Sequence, residues 1–212
     1  LKSTGLIVGS SRGPTHRLEQ AWDEFSNGHR LRASTSPTTT ASGLAAAIAR
    51  DLGLEGPSLY LSAACSTGLY CVLQGVASLK SGLCESLLVG GMEAANTGFT
   101  FEMLRSARVL TTANGETYPC RPGAEDRSGM VLSEGAALIL LESKRSQHSC
   151  AEIIGWGAAT EGGTLTGVSE HGDALSRAIA NALKIAGIDK GDIDFIVGHG
   201  AGTMKGDAAE RE

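Results

Sequence analysis

The chain has 212 residues, of which 42% are hydrophobic and 19% charged, a composition typical of a folded protein that buries a sizeable core. The formal net charge is −5, and no basic stripe with interleaved aromatic residues occurs, so we expect no nucleic-acid partner. No apolar run approaches the length of a membrane span and no signal peptide opens the sequence, so we expect no membrane association and a cytoplasmic location. The five cysteines include no CxxC pair and the histidines lack zinc spacing, which favours reduced thiols and no metal site.

Predicted strands and helices alternate along the chain, and the strands are apolar throughout rather than striped. In chain order the predicted elements are a strand at 6–9, helices at 19–25 and 44–53, a strand at 57–63, a helix at 66–80, a strand at 85–91, two paired strands within 130–142 that turn at Glu134 and Gly135, a strand at 151–163, a helix at 173–187 and a strand at 194–200. This alternation predicts an α/β fold whose sheets are covered on both faces.

Two segments share one plan, in which an apolar strand leads to a reactive side chain and then to a turn of small residues. The first is SLYLSAACSTGL (58–69), which contains Cys65, and the second is DFIVGHGAGTMKG (194–206), which contains His199. The two segments are alike in arrangement rather than in residue identity. They predict two related halves that divide near residue 150.

Cys65 lies among small residues between a predicted strand and a predicted helix. A thiol at the start of a helix meets the positive end of the helix dipole, which favours the nucleophilic thiolate. Small neighbours would let a substrate carbonyl approach, and the first backbone N–H groups of the helix could bind an oxyanion. Position alone leaves open a buried structural cysteine, which is a common fate of this residue type.

His199 ends a predicted strand and precedes a glycine-rich turn, where a ligand could reach the ring. A Cys/His pair is typical of nucleophilic catalysis, in which the histidine acts as base or hydrogen-bond donor. The GHGAG run lacks the spacing of a dinucleotide-binding loop, so it predicts no nucleotide cofactor. The remaining cysteines fit structural roles better than catalytic ones; they are Cys71, Cys84, Cys120 and Cys150.

Four motifs are similar to those of the β-ketoacyl-acyl carrier protein synthases, the elongating condensing enzymes with a thiolase-like fold. They are GPSLYLSAACSTGL (56–69), LLVGGMEA (87–94), RPGAEDRSGMVLSEGAALILLE (121–142) and GHGAGTMKGDAAE (198–210), in the order that the family has them. The resemblance covers essentially the whole chain and implies two related α/β halves in a layered α-β-α-β-α architecture, incomplete here at both ends. It implies a partial N-terminal half over 1–150, which carries the nucleophile, and the start of a C-terminal half over 151–212.

The resemblance implies a decarboxylative Claisen condensation of an acyl-enzyme thioester with malonyl-acyl carrier protein, which gives 3-ketoacyl-acyl carrier protein. Cys65 matches the acyl-accepting cysteine, and His199 matches the first of two catalytic histidines. Thr166 and Thr203 match threonines of the substrate pocket. The matches to acidic residues that support the site are Glu134, Asp207 and Glu210.

The implied partners are acyl carrier protein, on which phosphopantetheine arrives, and a related ketosynthase chain in a homodimer or heterodimer. The stretches LLVGGMEAAN (87–96) and FTFEMLRSARVL (99–110) would lie near the twofold axis and the acyl pocket. No other cofactor and no metal is implied. The resemblance also implies that the second catalytic histidine, its lysine partner and a glycine-rich gate lie beyond Glu212. Ala201 departs from the family pattern, because it replaces a threonine that contacts pantetheine, and Thr164 stands where a histidine is often found.

A second reading is a non-catalytic partner subunit, like a chain-length factor, that pairs with a complete synthase. Such partners usually lose the cysteine, so the presence of both Cys65 and His199 favours the enzyme. A thiolase shares the fold but has a different cysteine motif. The sequence does not predict the acyl chain length or whether the pathway makes fatty acids or polyketides.

Overall fold

The computed structural model describes residues 2–115, 117–163, 168–169 and 171–212. The chain divides into two compact units, and each is described by itself. The first unit comprises Leu1–Phe101 and Ser133–Ser149, and the second comprises Glu102–Leu132 and Cys150–Glu212. The domain boundary predicted near residue 150 stays a prediction. Among the described residues, no helix has both the length and the apolar character needed to cross a bilayer.

The first unit is built on a mixed sheet with the strand order β2-β1-β3-β4. Its strands are β1 (Gly5–Gly9), β2 (Ser58–Leu61), β3 (Ser86–Glu93) and β4 (Gly135–Glu142). Strand β1 pairs in parallel with β2 and β3, whereas β4 runs antiparallel to β3, with Ser86 opposite Glu142. Parallel neighbours require long crossover connections, and helices supply them here. The predicted α/β class is therefore confirmed.

Two helices of the first unit pack against the sheet, α3 (Gly43–Leu52) and α4 (Thr67–Lys80), whereas α1 (Thr15–Ser26) packs on α2 (Thr35–Thr39) and α2 packs on α3. Helix α5 (Gly98–Ser106) follows β3, begins in the first unit and ends in the second. Alternate residues of β1 are buried on opposite faces of the sheet: Leu6 and Val8 pack with the α3 residue Ala45, and Ile7 packs with Cys71 of α4. The predicted burial of both faces is thus confirmed for the central strand.

In the second unit, α6 (Asp173–Ala186) ends at Gly187, whose left-handed φ of 70° suits a glycine at the end of a helix. A 3-10 turn (Lys190–Asp192) follows, and α7 (Met204–Arg211) lies near the end of the chain. Helix α6 closely matches the helix predicted at 173–187.

Three predicted strand assignments are wrong in detail. The expected hairpin within 130–142 does not form, because β4 pairs with β3, while Met130 makes only an isolated bridge to Leu110. The described residues of the segments 151–163 and 194–200 are not assigned as strands. An apolar run does not specify which segment pairs with it, and strand assignment requires a hydrogen-bonded neighbour. The run in 194–200 is also exposed here, with Phe195, Ile196 and Val197 81%, 78% and 87% accessible.

Candidate active site

Cys65 lies in a short turn between the end of β2 at Leu61 and the start of α4 at Thr67. Ser66 is the N-cap of α4, so Cys65 lies one residue before the N-cap instead of within the first turn of the helix. Its side chain is exposed, which removes the alternative of a buried structural cysteine. The Ser66 side chain makes no capping hydrogen bond to α4. The Ser66 side chain therefore does not occupy the first backbone N–H groups of α4, which are the groups that can bind an anion at a helix N-terminus.

The turn contains a strained residue next to the cysteine. Ala64 has a φ of +49°, a left-handed conformation that costs a non-glycine residue about 1–2 kcal/mol. Two backbone bonds hold the turn, from Ser66 N to Ala63 O and from Thr67 N to Ala64 O, both 3.2 Å. Backbone strain of this kind persists only where the surroundings impose it, and it clusters at functional sites.

The Thr67 side chain ties this turn together. Its Oγ1 accepts a hydrogen bond from Ala63 N at 2.8 Å and donates one to Ala64 O at 2.7 Å. A Cβ added at Gly9 would lie 2.4 Å from Thr67 Cγ2 and 2.3 Å from Leu61 O. The end of β1 therefore has to be glycine for the first turn of α4 to pack where it does. In the sequence, Thr67 is only one of the small residues around Cys65.

The other cysteines differ from Cys65 in their surroundings. Cys71 is fully buried within α4, and this burial raises the pKa of its thiol, an effect partly offset by a backbone hydrogen bond from Gly90. Burial also raises the pKa of the Cys84 thiol. Cys120 is half-buried and Cys150 is exposed. Among the described cysteines, Cys65 combines exposure with a place at a helix N-terminus, which is the setting of a reactive thiolate.

Glu134 also belongs to the first unit, and it precedes β4 directly. Its Oε1 accepts a hydrogen bond from Asn96 N at 3.3 Å. This contact links the start of β4 to the segment that follows β3. The supporting role predicted for Glu134 at the site stays a prediction.

The second unit holds His199 in a glycine-rich turn that leads to α7. Glu210, on α7, accepts hydrogen bonds from the backbone N–H groups of His199 and of Gly200, the latter at 2.7 Å. The turn itself bends through left-handed residues, with φ values of 54° at Gly200 and 71° at Gly202. The Glu210 carboxylate therefore fixes the backbone of His199, whose side chain is exposed.

Asp207 binds a second part of the same turn. Its Oδ1 accepts from Gly202 N at 3.0 Å, and its Oδ2 accepts from Gly123 N at 2.8 Å. Arg127 lies with its Nε 3.3 Å from Asp207 Oδ2, and the two side chains are only 7% and 4% exposed. The carboxylate thus links the RPGAEDRSG segment to the histidine turn through a buried ion pair.

Arg127 was missed in the sequence analysis, although it completes the polar core of this unit. Its Nη1 donates to Ala124 O at 2.7 Å and its Nη2 to Met204 O at 2.8 Å, while Nε also reaches Thr203 O at 3.2 Å. The sequence feature that could have indicated Arg127 is its place between glycines in the motif over 121–142, which continues into apolar residues. A buried guanidinium there requires a carboxylate partner.

Thr203 has a structural contact that the sequence did not predict. It is the N-cap of α7, and its Oγ1 accepts a hydrogen bond from Gly206 N at 3.2 Å. Accepting this bond does not use the hydroxyl proton, which a substrate acceptor could still bind. The predicted contact with substrate stays a prediction. Thr166 and Thr164 lie outside the described residues.

The predicted site residues therefore fall into two groups. The second unit brings His199, Thr203, Asp207 and Glu210 together around one turn, whereas Cys65 and Glu134 belong to the first unit. The catalytic partnership of Cys65 with His199 stays a prediction. Within the described residues, no cluster of three or more His, Cys, Asp or Glu side chains could hold a metal ion.

Comparison with proteins of known structure gives the fold. The chain is similar to the ketosynthase solved in complex with a type II polyketide synthase acyl carrier protein, with a TM-score of 0.90 at 21% identity over 99% of this chain and 55% of that one. It is also similar to a beta-ketoacyl synthase from Burkholderia phymatum, with a TM-score of 0.84 at 25% identity over 98% of this chain and 52% of that one. At these TM-scores the ketosynthase fold, a thiolase-like α/β fold, is shown.

Comparison of the sequence with curated proteins gives relatives named 3-oxoacyl-[acyl-carrier-protein] synthase 2. The relative from Vibrio cholerae is 31% identical over 97% of this chain and 52% of its own length, and one from Staphylococcus aureus is 29% identical over 97% and 53%. The chain thus spans about half the length of the curated relatives it matches.

Two family models match consecutive parts of the chain. Residues 1–147 match the N-terminal domain of beta-ketoacyl synthase, and residues 150–212 match the C-terminal domain. The first match alone covers well over half of the sequence, and it contains Cys65 in its strained turn. The chain therefore belongs to the beta-ketoacyl synthase family.

Proposed function

We propose that the protein containing this chain condenses an acyl group, held as a thioester on Cys65, with malonyl-acyl carrier protein to give 3-ketoacyl-acyl carrier protein. Membership of the family and the relatives named 3-oxoacyl-[acyl-carrier-protein] synthase 2 support this proposal. The observation that carries it is the position of Cys65. Cys65 is exposed and lies between the left-handed Ala64 and Ser66, the N-cap of α4.

In the first step, the Cys65 thiolate attacks the carbonyl carbon of the incoming acyl thioester. A C–S bond forms to Cys65, the bond to the pantetheine sulfur breaks, and the pantetheine thiolate leaves and takes up a proton. Negative charge develops on the carbonyl oxygen during this step, and backbone N–H groups at the start of α4 are suited to stabilise it. The acyl carrier protein delivers the phosphopantetheine arm, so we propose no other cofactor.

In the second step, the malonyl thioester loses carbon dioxide and the electron pair of the broken C–C bond forms an enolate. His199 would donate a ring N–H to the enolate oxygen, which stabilises the charge without proton transfer. The enolate carbon then attacks the acyl thioester on Cys65. A new C–C bond forms, the C–S bond breaks, and Cys65 is regenerated as a thiolate.

We extend the proposal to two partners, acyl carrier protein and a second ketosynthase chain. A related ketosynthase structure contains acyl carrier protein, and another contains a chain-length factor. The exposed rings of Phe99 and Phe101, 63% and 43% accessible, support an interface at the stretch predicted to lie near a twofold axis. A reducing, cytoplasmic location is part of the same proposal.

The test uses the full-length protein with acyl-carrier and malonyl-carrier substrates, and mass spectrometry of both protein and product. We expect the acyl group on Cys65 and 3-ketoacyl product in the wild type, with neither in Cys65→Ala. Cys150→Ala is the matched control, because Cys150 is also exposed, and it should keep full activity. Product formation by Cys65→Ala at the wild-type rate would contradict the proposal. A chain that is never acylated, but that a companion ketosynthase requires, would instead be a chain-length-factor-like subunit.

A further inference from the structure

Thr67 is a buried polar residue, 4% exposed, at the first position of α4. Its hydroxyl oxygen accepts from Ala63 N at 2.8 Å and donates to Ala64 O at 2.7 Å. Along the chain, Ala63 N comes before the positive φ angle of Ala64 and Ala64 O comes after it. A single hydroxyl thus satisfies both sides of the turn that precedes Cys65.

The Ala64 conformation needs such a restraint. A φ of +49° is disfavoured for alanine, so the residue would relax to a negative φ if its surroundings allowed it. Relaxation would rotate the peptide that joins Ala64 to Cys65 and would move the thiol relative to the start of α4. The Thr67 hydroxyl opposes this rotation because its bond to Ala64 O fixes the orientation of that same peptide.

We infer that Thr67 is a positioning residue for the nucleophile: its hydroxyl holds Ala64 in the left-handed conformation and thereby keeps the Cys65 thiol at the N-terminus of α4. The inference rests on the proposed function in taking Cys65 as the nucleophile. It assigns no contact between Thr67 and substrate.

The two parts of the Thr67 side chain can be separated by substitution. Thr67→Val keeps the branched shape that packs against Gly9 but removes the hydroxyl, whereas Thr67→Ser keeps the hydroxyl and removes the methyl group. Ser66→Ala is the matched control, because Ser66 Oγ also bonds to this turn, at 2.8 Å from Ala63 O, but is exposed and does not bind Ala64. If the Thr67 hydroxyl positions the Cys65 thiol, Thr67→Ser should keep the wild-type reactivity of Cys65, whereas Thr67→Val should lower it.

The experiment measures two rates in the full-length protein. The first is the second-order rate of Cys65 alkylation by iodoacetamide, followed by peptide mapping across a pH series. Thr67→Val should lower it about two- to fivefold near neutral pH, the effect of a helix N-terminus on an anion, and shift its pH profile to higher pH. The second is condensation, where kcat should fall about 10- to 100-fold, as expected for a misplaced reacting group, with little change in KM. Thr67→Ser and Ser66→Ala should stay near wild type in both.

Ala64→Gly gives an independent check, because glycine adopts a positive φ without the cost that alanine has. When Thr67→Val is added to Ala64→Gly, the rate of Cys65 alkylation should fall only slightly. The double variant should also fold if Thr67→Val alone does not. The inference is overturned if folded Thr67→Val is alkylated as fast as wild type, or if the double variant is unfolded or as slow as Thr67→Val. Alkylation requires no condensation, so an inactive wild type would reject the proposed function without deciding the role of Thr67.

Discussion

Arg127 and Asp207 form an ion pair that is almost completely buried, with Arg127 Nε 3.3 Å from Asp207 Oδ2 and side-chain exposures of 7% and 4%. Both partners are also bound by backbone groups, Asp207 by two amides and Arg127 by carbonyl oxygens on either side of the pair. A buried pair satisfied in this way is costly to break from one side, because the remaining charge is left without its partner.

We therefore expect Arg127→Met to destabilise the full-length protein by about 3–5 kcal/mol, as found when one partner of a buried pair is removed. The measurement is the free energy of unfolding from urea denaturation. Arg105→Met is the control, since Arg105 pairs with Glu102 at 2.8 Å but is 75% exposed, and such pairs contribute about 0–1 kcal/mol. If Arg127→Met and Arg105→Met lose the same free energy of unfolding, burial does not make the Arg127 pair more stabilising than an exposed pair.

The order of thiol alkylation is a second prediction. Burial raises the pKa of the Cys71 and Cys84 thiols, so both hold less thiolate at neutral pH than an ordinary cysteine. Cys65 is exposed at a helix N-terminus, and we expect it to react first with limiting iodoacetamide. Peptide mapping of the folded protein checks the order. Labelling of Cys71 ahead of Cys65 would contradict the nucleophile assignment, whereas labelling in urea should lose the preference.

The buried Cys71 also predicts how stability depends on pH. Its pKa in the folded protein is raised above the ordinary value of 9.0, so the unfolded chain loses this proton first as the pH rises. The stability associated with the protonated thiol is complete below the ordinary pKa and declines above it, by at most about 1.4 kcal/mol per pH unit, until the raised pKa is reached. Cys71→Ala should show a smaller decline in unfolding free energy between pH 8 and about pH 10 than wild type. Cys150→Ala, at an exposed cysteine, should decline like wild type.

The packing of Gly9 gives a fourth prediction. A methyl group there would approach Leu61 O to 2.3 Å and Thr67 Cγ2 to 2.4 Å, so either β1 or the start of α4 must move. Gly9→Ala should cost about 1–3 kcal/mol of unfolding free energy, as overpacking does, and should slow Cys65 alkylation. Gly98→Ala is the matched control, because no atom lies within 4 Å of the added Cβ and the residue is in α5. If Gly9→Ala keeps the wild-type unfolding free energy and Cys65 alkylation rate, β1 and the start of α4 pack less tightly than these distances indicate.

The sequence predicted local structure well where one segment supplied its own signal. The apolar steps of α4 and α6 and the uninterrupted strand β1 follow from patterns within a few residues. The pairing of β4 with β3 could not be predicted in this way, because the two strands are more than 40 residues apart and the sequence of β4, GAALILLE, does not specify its partner. The short connection before Gly135 suggested a local hairpin instead.

The same limit applies to the candidate site. Cys65 and His199 were found because each follows an apolar run and precedes small residues, a local pattern. Arg127 and Thr67 act through bonds whose geometry only the folded chain defines, such as the contact of Arg127 with Asp207 or the left-handed turn at Ala64. Polar residues that support a reactive group resemble ordinary surface or helix residues until their burial is known.

The last prediction concerns Glu210 and rests on the proposed function. Its carboxylate accepts the backbone N–H groups of both His199 and Gly200. Glu210→Gln replaces one acceptor oxygen by an NH2 group, which would face another donor, so the histidine turn should lose one bond and shift. We expect kcat for condensation to fall about 10- to 100-fold, since His199 would no longer be aligned with the malonyl carbonyl.

Acylation of Cys65 should remain near the wild-type rate in Glu210→Gln, because this first step does not use His199. Measuring the two half-reactions separately, by mass spectrometry of the acyl-enzyme and of the 3-ketoacyl product, tests this division. Glu125→Gln is the control, as Glu125 is exposed and lies in the neighbouring segment, and both of its half-reactions should be unchanged. If Glu210→Gln slows acylation as much as condensation, the loss reflects general unfolding. In that case Glu210 stabilises the fold of the second unit and does not specifically orient His199.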